Sequence, residues 1–393
     1  MLKLFVTLIL FTTSSAFSYA NFIGYGYGSC LTCHYNAFGN GPLNDYGRAL
    51  GATMVSGRLF TANATGEEKI AERSGFFFNT PKQTWFRPSI DYRGLYIPKN
   101  GTIDSRLIHM QTDLNVVLKF AEDKLWMSGT IGLAPAAPGP GVEAGEQTLY
   151  SREHYIAYAL GEKHRLYLGK TDPLYGLRIP DHTVTAKRGI GLAENDQTYG
   201  LTYHWFSNKI EGGFQLFAGD VLVNETGNFL GVSSKHEYSL SEKARIGASA
   251  YYGTHDTATK LMAALHSKLG FRKGSSLISE FGMMIKTDAL SSGATEDTRL
   301  IYAFLQNQIS LFRGFNLLQT FDYGNRNVTN SDASVTTALP SSNWQVFLGF
   351  QFFPMQRVEL RAEVGLLRRY GEDEGSSNKK DSKQILLQTH IWL

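Results

Sequence analysis

From Trp85 to Leu393, apolar and polar residues alternate along the chain in short stretches, most of them with aromatic ends. Ile108, Met110, Leu114, Val116, Leu118 and Phe120 take one side of the first clear stretch, and Gln111, Asp113, Asn115 and Lys119 take the other. Phe214, Leu216 and Ala218 repeat the pattern around Gln215. A period of two with one apolar face is the mark of a half-buried strand. It predicts strands at 85–96, 106–120, 124–134, 152–160, 164–170, 198–206, 210–221, 235–241, 245–253, 259–271, 276–286, 298–311, 315–323, 343–353, 356–368 and 383–393. No amphipathic helix lies between them, which excludes an α/β chain.

The connections alternate too. Short turns fall at 121–123, 161–163, 207–209, 242–244, 272–275, 312–314 and 354–355. Longer, polar or glycine-rich links fall at 97–105, 135–151, 171–197, 222–234, 287–297, 324–342 and 369–382, with one brief link at 254–258. A secreted soluble β-protein has no reason to sort its loops this way. A transmembrane outer-membrane β-barrel does, with short periplasmic turns, long outer loops and an even strand number. The expected fold is therefore all-β: a barrel of about 16 antiparallel strands, apolar towards lipid and polar inside, with both termini periplasmic. Ile385, Leu387, Thr389, Ile391 and Leu393 would face outwards, and Gln388, His390 and Trp392 inwards.

Composition agrees. Charged residues make up 19% of the chain, below the roughly 25% of a soluble domain, and 40 glycines and 13% aromatics stand above it. A net charge of +3 makes no case for nucleic acid. Residues 1–20 read as a signal peptide, with Lys3, an apolar stretch from Leu4 to Phe17 and the cleavage site Ser18-Tyr19-Ala20. Four parts follow: the signal peptide 1–20, a segment 21–60, a linker 61–84 and the barrel 85–393.

Only two cysteines occur, in Cys30-Leu31-Thr32-Cys33-His34. C-x-x-C-H is the attachment sequence of a c-type haem. The two thiols are spaced to reach the two vinyl groups of one porphyrin, and His34 would be the proximal iron ligand. A redox C-x-x-C would open a helix after a strand, and zinc would need more ligands. Met54, near the end of a helix expected over 43–55, is the candidate distal ligand, with a core methionine as its other reading. So short a segment is too small to bury a cofactor alone. The barrel would then supply the walls, with the segment lodged in the periplasmic half of the lumen.

The stretch Phe22–Leu50, including the haem pentapeptide and Asn44-Asp45-Tyr46-Gly47-Arg48, followed by a barrel-like chain, resembles the fused monohaem cytochrome–porins of bacterial outer membranes. The resemblance implies one covalent haem c and electron transfer between an extracellular donor or acceptor, with Fe(II) as a candidate, and a soluble periplasmic cytochrome. It implies an electron-transfer protein rather than a conventional enzyme, with outer-membrane lipid around it. The competing reading is a porin or substrate channel whose N-terminal segment acts as a plug or redox sensor.

Two further features stand out. His109, His204 and His390 fall on polar faces and are expected to line the lumen. The long link 172–197, with Pro173, Pro180, Arg178 and Lys187, is expected to fold back as a constriction, to pack on the haem segment, or to stay an ordered surface loop.

Overall fold

The computed structural model describes residues 19–39, 41–59, 66–78, 83–99, 104–121, 124–135, 147–179, 181, 184–192, 196–221, 228–331, 340–371 and 380–393. Residues 1–18 of the expected signal peptide and the loop centres at 136–146, 332–339 and 372–379 lie outside these residues.

Strands form where the alternation predicts them. They are β1 Phe86–Ile97, β2 Arg106–Phe120, β3 Leu125–Pro135, β4 Gln147–Tyr150, β5 His154–Ala159, β6 His164–Thr171, β7 Thr198–Phe206 and β8 Ile210–Ala218. The second half runs β9 Leu230–Ser241, β10 Ala244–His255, β11 Ala258–Gly270, β12 Ser276–Ala289, β13 Thr295–Phe312, β14 Phe315–Asn330, β15 Ser341–Phe352, β16 Val358–Tyr370 and β17 Lys380–Trp392. All pair antiparallel with their neighbours, and β1 closes on β17 from Asp91 opposite Trp392 to Tyr96 opposite Leu387. β4 and β5 both pair with β3 and are two halves of one stave. The wall is a closed outer-membrane barrel of sixteen antiparallel staves.

The break in that stave is a bulge. Gly129 pairs His154 and Gly132 pairs Tyr150, so three residues on one strand face two on the other. The extra residue swings Arg152 and Glu153 into the lumen, where both are buried. A second register shift, at Arg93/Gly94 against Gln111 and His109, changes one expectation. It reverses the alternation below Gln111. His109 therefore meets Thr112 and the ring of Tyr92 on the outer side, not the lumen.

Burial confirms the two faces. On β2, Leu114 is 46% exposed while Asn115 is 1% exposed; on β8, Phe214 and Leu216 are exposed around buried Gln215. Apolar side chains are outside and polar ones inside, the inverse of a soluble sheet, because the outer solvent is lipid. Leu348, exposed in the middle of β15 between Val346 and Phe350, sits in that band. Leu348→Arg should cost about 2–4 kcal/mol in reversible unfolding from lipid vesicles, whereas a polar substitution at inward-facing Thr320 should leave the unfolding midpoint nearly unchanged.

The strands outrun the sequence pattern at the long-loop end. β9 begins at Leu230 rather than 235, and β13 and β14 run on to Thr295 and Asn330. There the ladder extends past the apolar band, so hydrogen bonds continue where alternation has faded.

The N-terminal segment is not a separate helical domain. It consists of tight turns at Tyr19–Tyr25 and Cys30–Thr32, a helix Asp45–Leu50 prolonged by a single π turn Gly51–Val55, and a helix Glu67–Glu72 within the expected linker. It lies inside the barrel at the short-turn end.

Candidate functional site: the occupied lumen

Polar bonds dock the segment on the wall from several sides. Asn21 Nδ2 donates to Oε1 of Gln306 (3.2 Å) and Gln308 (3.1 Å) on β13. Ser29 Oγ donates to Glu211 at 2.6 Å, Asn36 Nδ2 to Glu153 at 3.0 Å, and the Phe38 ring stands edge-on to His204. At the rim, the Gly57 amide donates to the Phe353 carbonyl (2.7 Å) and Arg313 Nε to the Ser56 carbonyl (2.9 Å). Gly314 serves both turn and plug. Its φ of +79° makes the two-residue hairpin between β13 and β14, and a Cβ there would stand 2.5 Å from Gly57 N.

Asp45 opens the short helix and is gripped by Arg87 of β1 at 2.6 and 2.8 Å, both carboxylate oxygens engaged. Partial burial opposes its ionisation, but the bond to Arg87 and the charges of Lys119 and Arg48 prevail, holding the carboxyl below its ordinary value. A depressed carboxyl stabilises docking fully above the ordinary value near pH ~4 and loses that contribution as pH falls through the lowered one. Limited proteolysis should therefore find residues 21–59 protected at neutral pH and more readily cut below about pH 4, with Asp45→Asn abolishing the pH step.

The C-x-x-C-H turn forms the knuckle of the segment. The amides of Cys33 and His34 both donate to the Cys30 carbonyl, at 3.1 and 2.9 Å. Asn44 Nδ2 reaches the carbonyls of Leu31 and Thr32, while its Oδ1 caps the helix at Gly47 N (2.8 Å). Gly47 lies so close to the knuckle that a Cβ would stand 2.3 Å from the Cys33 carbonyl oxygen. Burial pushes the Cys30 thiol up, against the pull of Lys268 and Lys235. Burial, then the neighbouring Cys30, raise Cys33 to about 12, so both stay protonated at neutral pH.

Cys30, Cys33 and His34 face a cavity of about 180 Å³ between the segment and the wall of β1, β2, β16 and β17. Leu50, Gly51 and Val55 line it from the segment, and Asp91, Asp113, Glu359, His390 and Trp392 from the wall. Met54 is on the same turn, half-buried, but is not among the described lining residues. His390 is inward as its alternation predicts, with Nδ1 3.3 Å from Glu359 Oε2. Arg152, paired with Asp113 at 2.8 Å, was not anticipated, because only the bulge brings it inside.

The long link folds into the lumen above the segment rather than lying on the surface, and it both narrows the lumen and touches the segment, with Arg178 beside Gly39. Leu177, Ile179, Val184, Ala186 and Ile190 are buried against Met262, Ile278, Leu300, Tyr302 and Phe304, inward residues of β11–β13. Its backbone is tied down as well: Leu174 N donates to Gln215, Gly176 N to Ser249, Leu177 N to Glu280 and Thr185 N to Asp322. Arg178 pairs with Asp172 at 2.6 Å and also lines the cavity beside the knuckle. Burial pushes the Lys187 ammonium down to about 8. His182 lies outside the described residues.

No protein-family model matches the chain, and no curated protein matches it either. Solved structures do. OprB of Pseudomonas putida is similar with a TM-score of 0.57 at 10% identity, over 79% of this chain and 94% of that one. OmpT, an outer-membrane protein of Vibrio cholerae, gives 0.55 at 11% identity over 80% and 99%. The outer-membrane channel DcaP of Acinetobacter baumannii gives 0.54 at 11% identity over 79% and 99%. At these identities the likeness is one of fold.

These findings correct the reading built on the pentapeptide. The barrel is that of porins and channels, so the likeness to a fused monohaem cytochrome–porin is not upheld. With it go haem c as cofactor, iron as its metal, and the electron-transfer role that stood in place of an enzyme. Among the described residues no group of three or more His, Cys, Asp or Glu converges to hold a metal ion. Five residues of local spacing do not determine what the surrounding fold is for. The architecture agrees instead with the competing channel reading, and the chain is, in fold, an outer-membrane β-barrel of the porin type.

Proposed function

We propose that the protein is an outer-membrane channel whose own N-terminal segment, residues 21–59, plugs the periplasmic half of the lumen. The inward-folded link 172–192 narrows the remainder. Cys30, Cys33 and His34 form the knuckle by which the plug faces its vestibule, rather than an isolated motif. The short turns share one rim with Leu393 and with the segment that begins at Asn21, and in barrels of this class short turns face the periplasm.

The carrying observation is that the plug sits within the barrel, bonded to its wall through Asp45–Arg87, Ser29–Glu211 and Asn36–Glu153 and packed by Leu31, Tyr35, Ala37 and Phe38 on Val117, Trp126, Tyr155 and Tyr167. The polar bonds exchange readily for water on displacement, and the apolar patch is the part of the seam that resists it. A charged vestibule beside it already admits small solutes. Similarity to a protein described as an outer-membrane channel is consistent with this.

Planar-bilayer recording tests the reading. Purified protein should give discrete steps of small conductance, with rare larger openings. A chain that inserts, shows heat-modifiable mobility and still passes no ion or small solute, with the plug or after its removal, would sink it.

A further inference from the structure

The plug and the inward-folded link meet over a second, smaller space beside β9. Asn36 and Phe38 line it from the plug, Asp172, Arg178 and Lys187 from the link, and Lys235 from the wall. Among the described residues that line it, three are cations and one is a carboxylate. Asp172 is held by Arg178 at 2.6 Å and by Nε2 of Gln197 at 2.9 Å. Lys235 pairs with Glu237 at 3.2 Å, but the same carboxylate takes Lys268 at 2.7 Å and Arg245 at 3.6 Å. Adding Lys268 and Arg245 to the first set, and Glu211, Glu237 and Glu280 to the second, leaves five cations against four carboxylates.

The excess falls on Lys187. It is 5% exposed and, among the described residues, makes no ion pair in contact. Glu280 and Asp172 attract it from further off, against Arg178 and Lys235. The Glu280 oxygens themselves accept from the Leu177 amide and, at 3.0 Å, from the Tyr302 hydroxyl. Burial pushes the ammonium down to about 8, which still leaves it charged at neutral pH. A buried charge with no counter-ion in contact is strongly disfavoured, so an opposite charge beside it would be held. The space measures about 30 Å³, close to the roughly 30 Å³ of one water in the liquid. That admits a monatomic anion and excludes an organic acid. We infer that this seam binds a small inorganic anion of the size of chloride, against Lys187 and Lys235. An ion there would touch plug, link and wall together and so steady the link over the plug.

Hydrogen exchange of the full chain in detergent tests it, with chloride as probe and the bulky anion gluconate as control at matched ionic strength. The link amides of Leu177 and Thr185 should exchange roughly fivefold more slowly in chloride, as expected of an ion that binds the seated link alone. Lys187→Met should remove that difference while heat-modifiable mobility is kept, and Lys235→Met should reduce it. Crystals of the full chain grown with bromide should show an anomalous peak beside the two ammonium groups. Equal exchange in the two salts, a chloride effect that survives Lys187→Met, or no bromide at the seam would overturn the assignment. Because exchange is read without a membrane, the site can fail while conductance stands, and the reverse.

Discussion

Deleting residues 21–59 should raise single-channel conductance by roughly an order of magnitude, since barrels of sixteen to eighteen strands leave an aqueous channel when unobstructed. The wall should survive the loss. Its ladder closes between β1 and β17 without the plug. A heat-modifiable shift in electrophoretic mobility checks that the truncated barrel is folded. Disrupting one anchor should give a graded version: with Arg87→Gln, the frequency of large openings should rise while their size equals that of the deletion. If the deletion leaves conductance unchanged, the barrier lies in the link 172–192 and not in the plug.

The second large effect is expected from that link. Leu177 is fully buried among inward apolar side chains of β11–β13, and its amide is bound to Glu280. Leu177→Ala removes most of a buried side chain and should loosen the link by about 2–5 kcal/mol. The barrel is held by its own ladder, so the loss should be local. Chymotrypsin added to whole cells should cut at Tyr175 in the variant and not in the parent, and the conductance of the plug-deleted barrel should rise again. Lys187→Met should act in the opposite direction. The ammonium is held down to about 8 by burial, so the unfolded link binds more protons between about 8 and its ordinary value near ~10.4, and stability rises with pH across that window. Methionine removes the slope and stabilises the link at neutral pH.

How much of this could be read from the chain follows from what each feature depends on. Staves such as β2 and β8 were legible because lipid and lumen impose a strict period of two, visible in Leu114 beside Asn115 and in Phe214 beside Gln215. The inward sense of His204 and His390 followed from the same alternation. His109 did not, because a bulge at the β1–β2 pairing reverses the alternation and leaves no mark in the residue types. The plug's position was legible only as an argument about size, while its partners were not. Asn21 finds Gln306 and Gln308, and Asn36 finds Glu153, through closure of the whole ring. The pentapeptide misled in the opposite way. Its spacing is conspicuous in the sequence, yet what the barrel does depends on long-range placement that spacing does not encode.

The bond from Asn21 to Gln306 joins residues 285 positions apart, and Gly57 is held by the carbonyl of Phe353. A segment made early in synthesis thus has binding partners among strands made much later. Until β13–β17 arrive, residues 21–59 have no wall to dock on, and loop-closure entropy penalises every early encounter. Folding should therefore run in two kinetic stages: ring closure first, then a slower seating of the plug from the short-turn rim. Refolding into lipid vesicles would separate them, with heat-modifiable mobility gained before residues 21–59 become protected from protease. In a cell, the interval between those stages is one in which a closed but unplugged barrel stands open across the membrane.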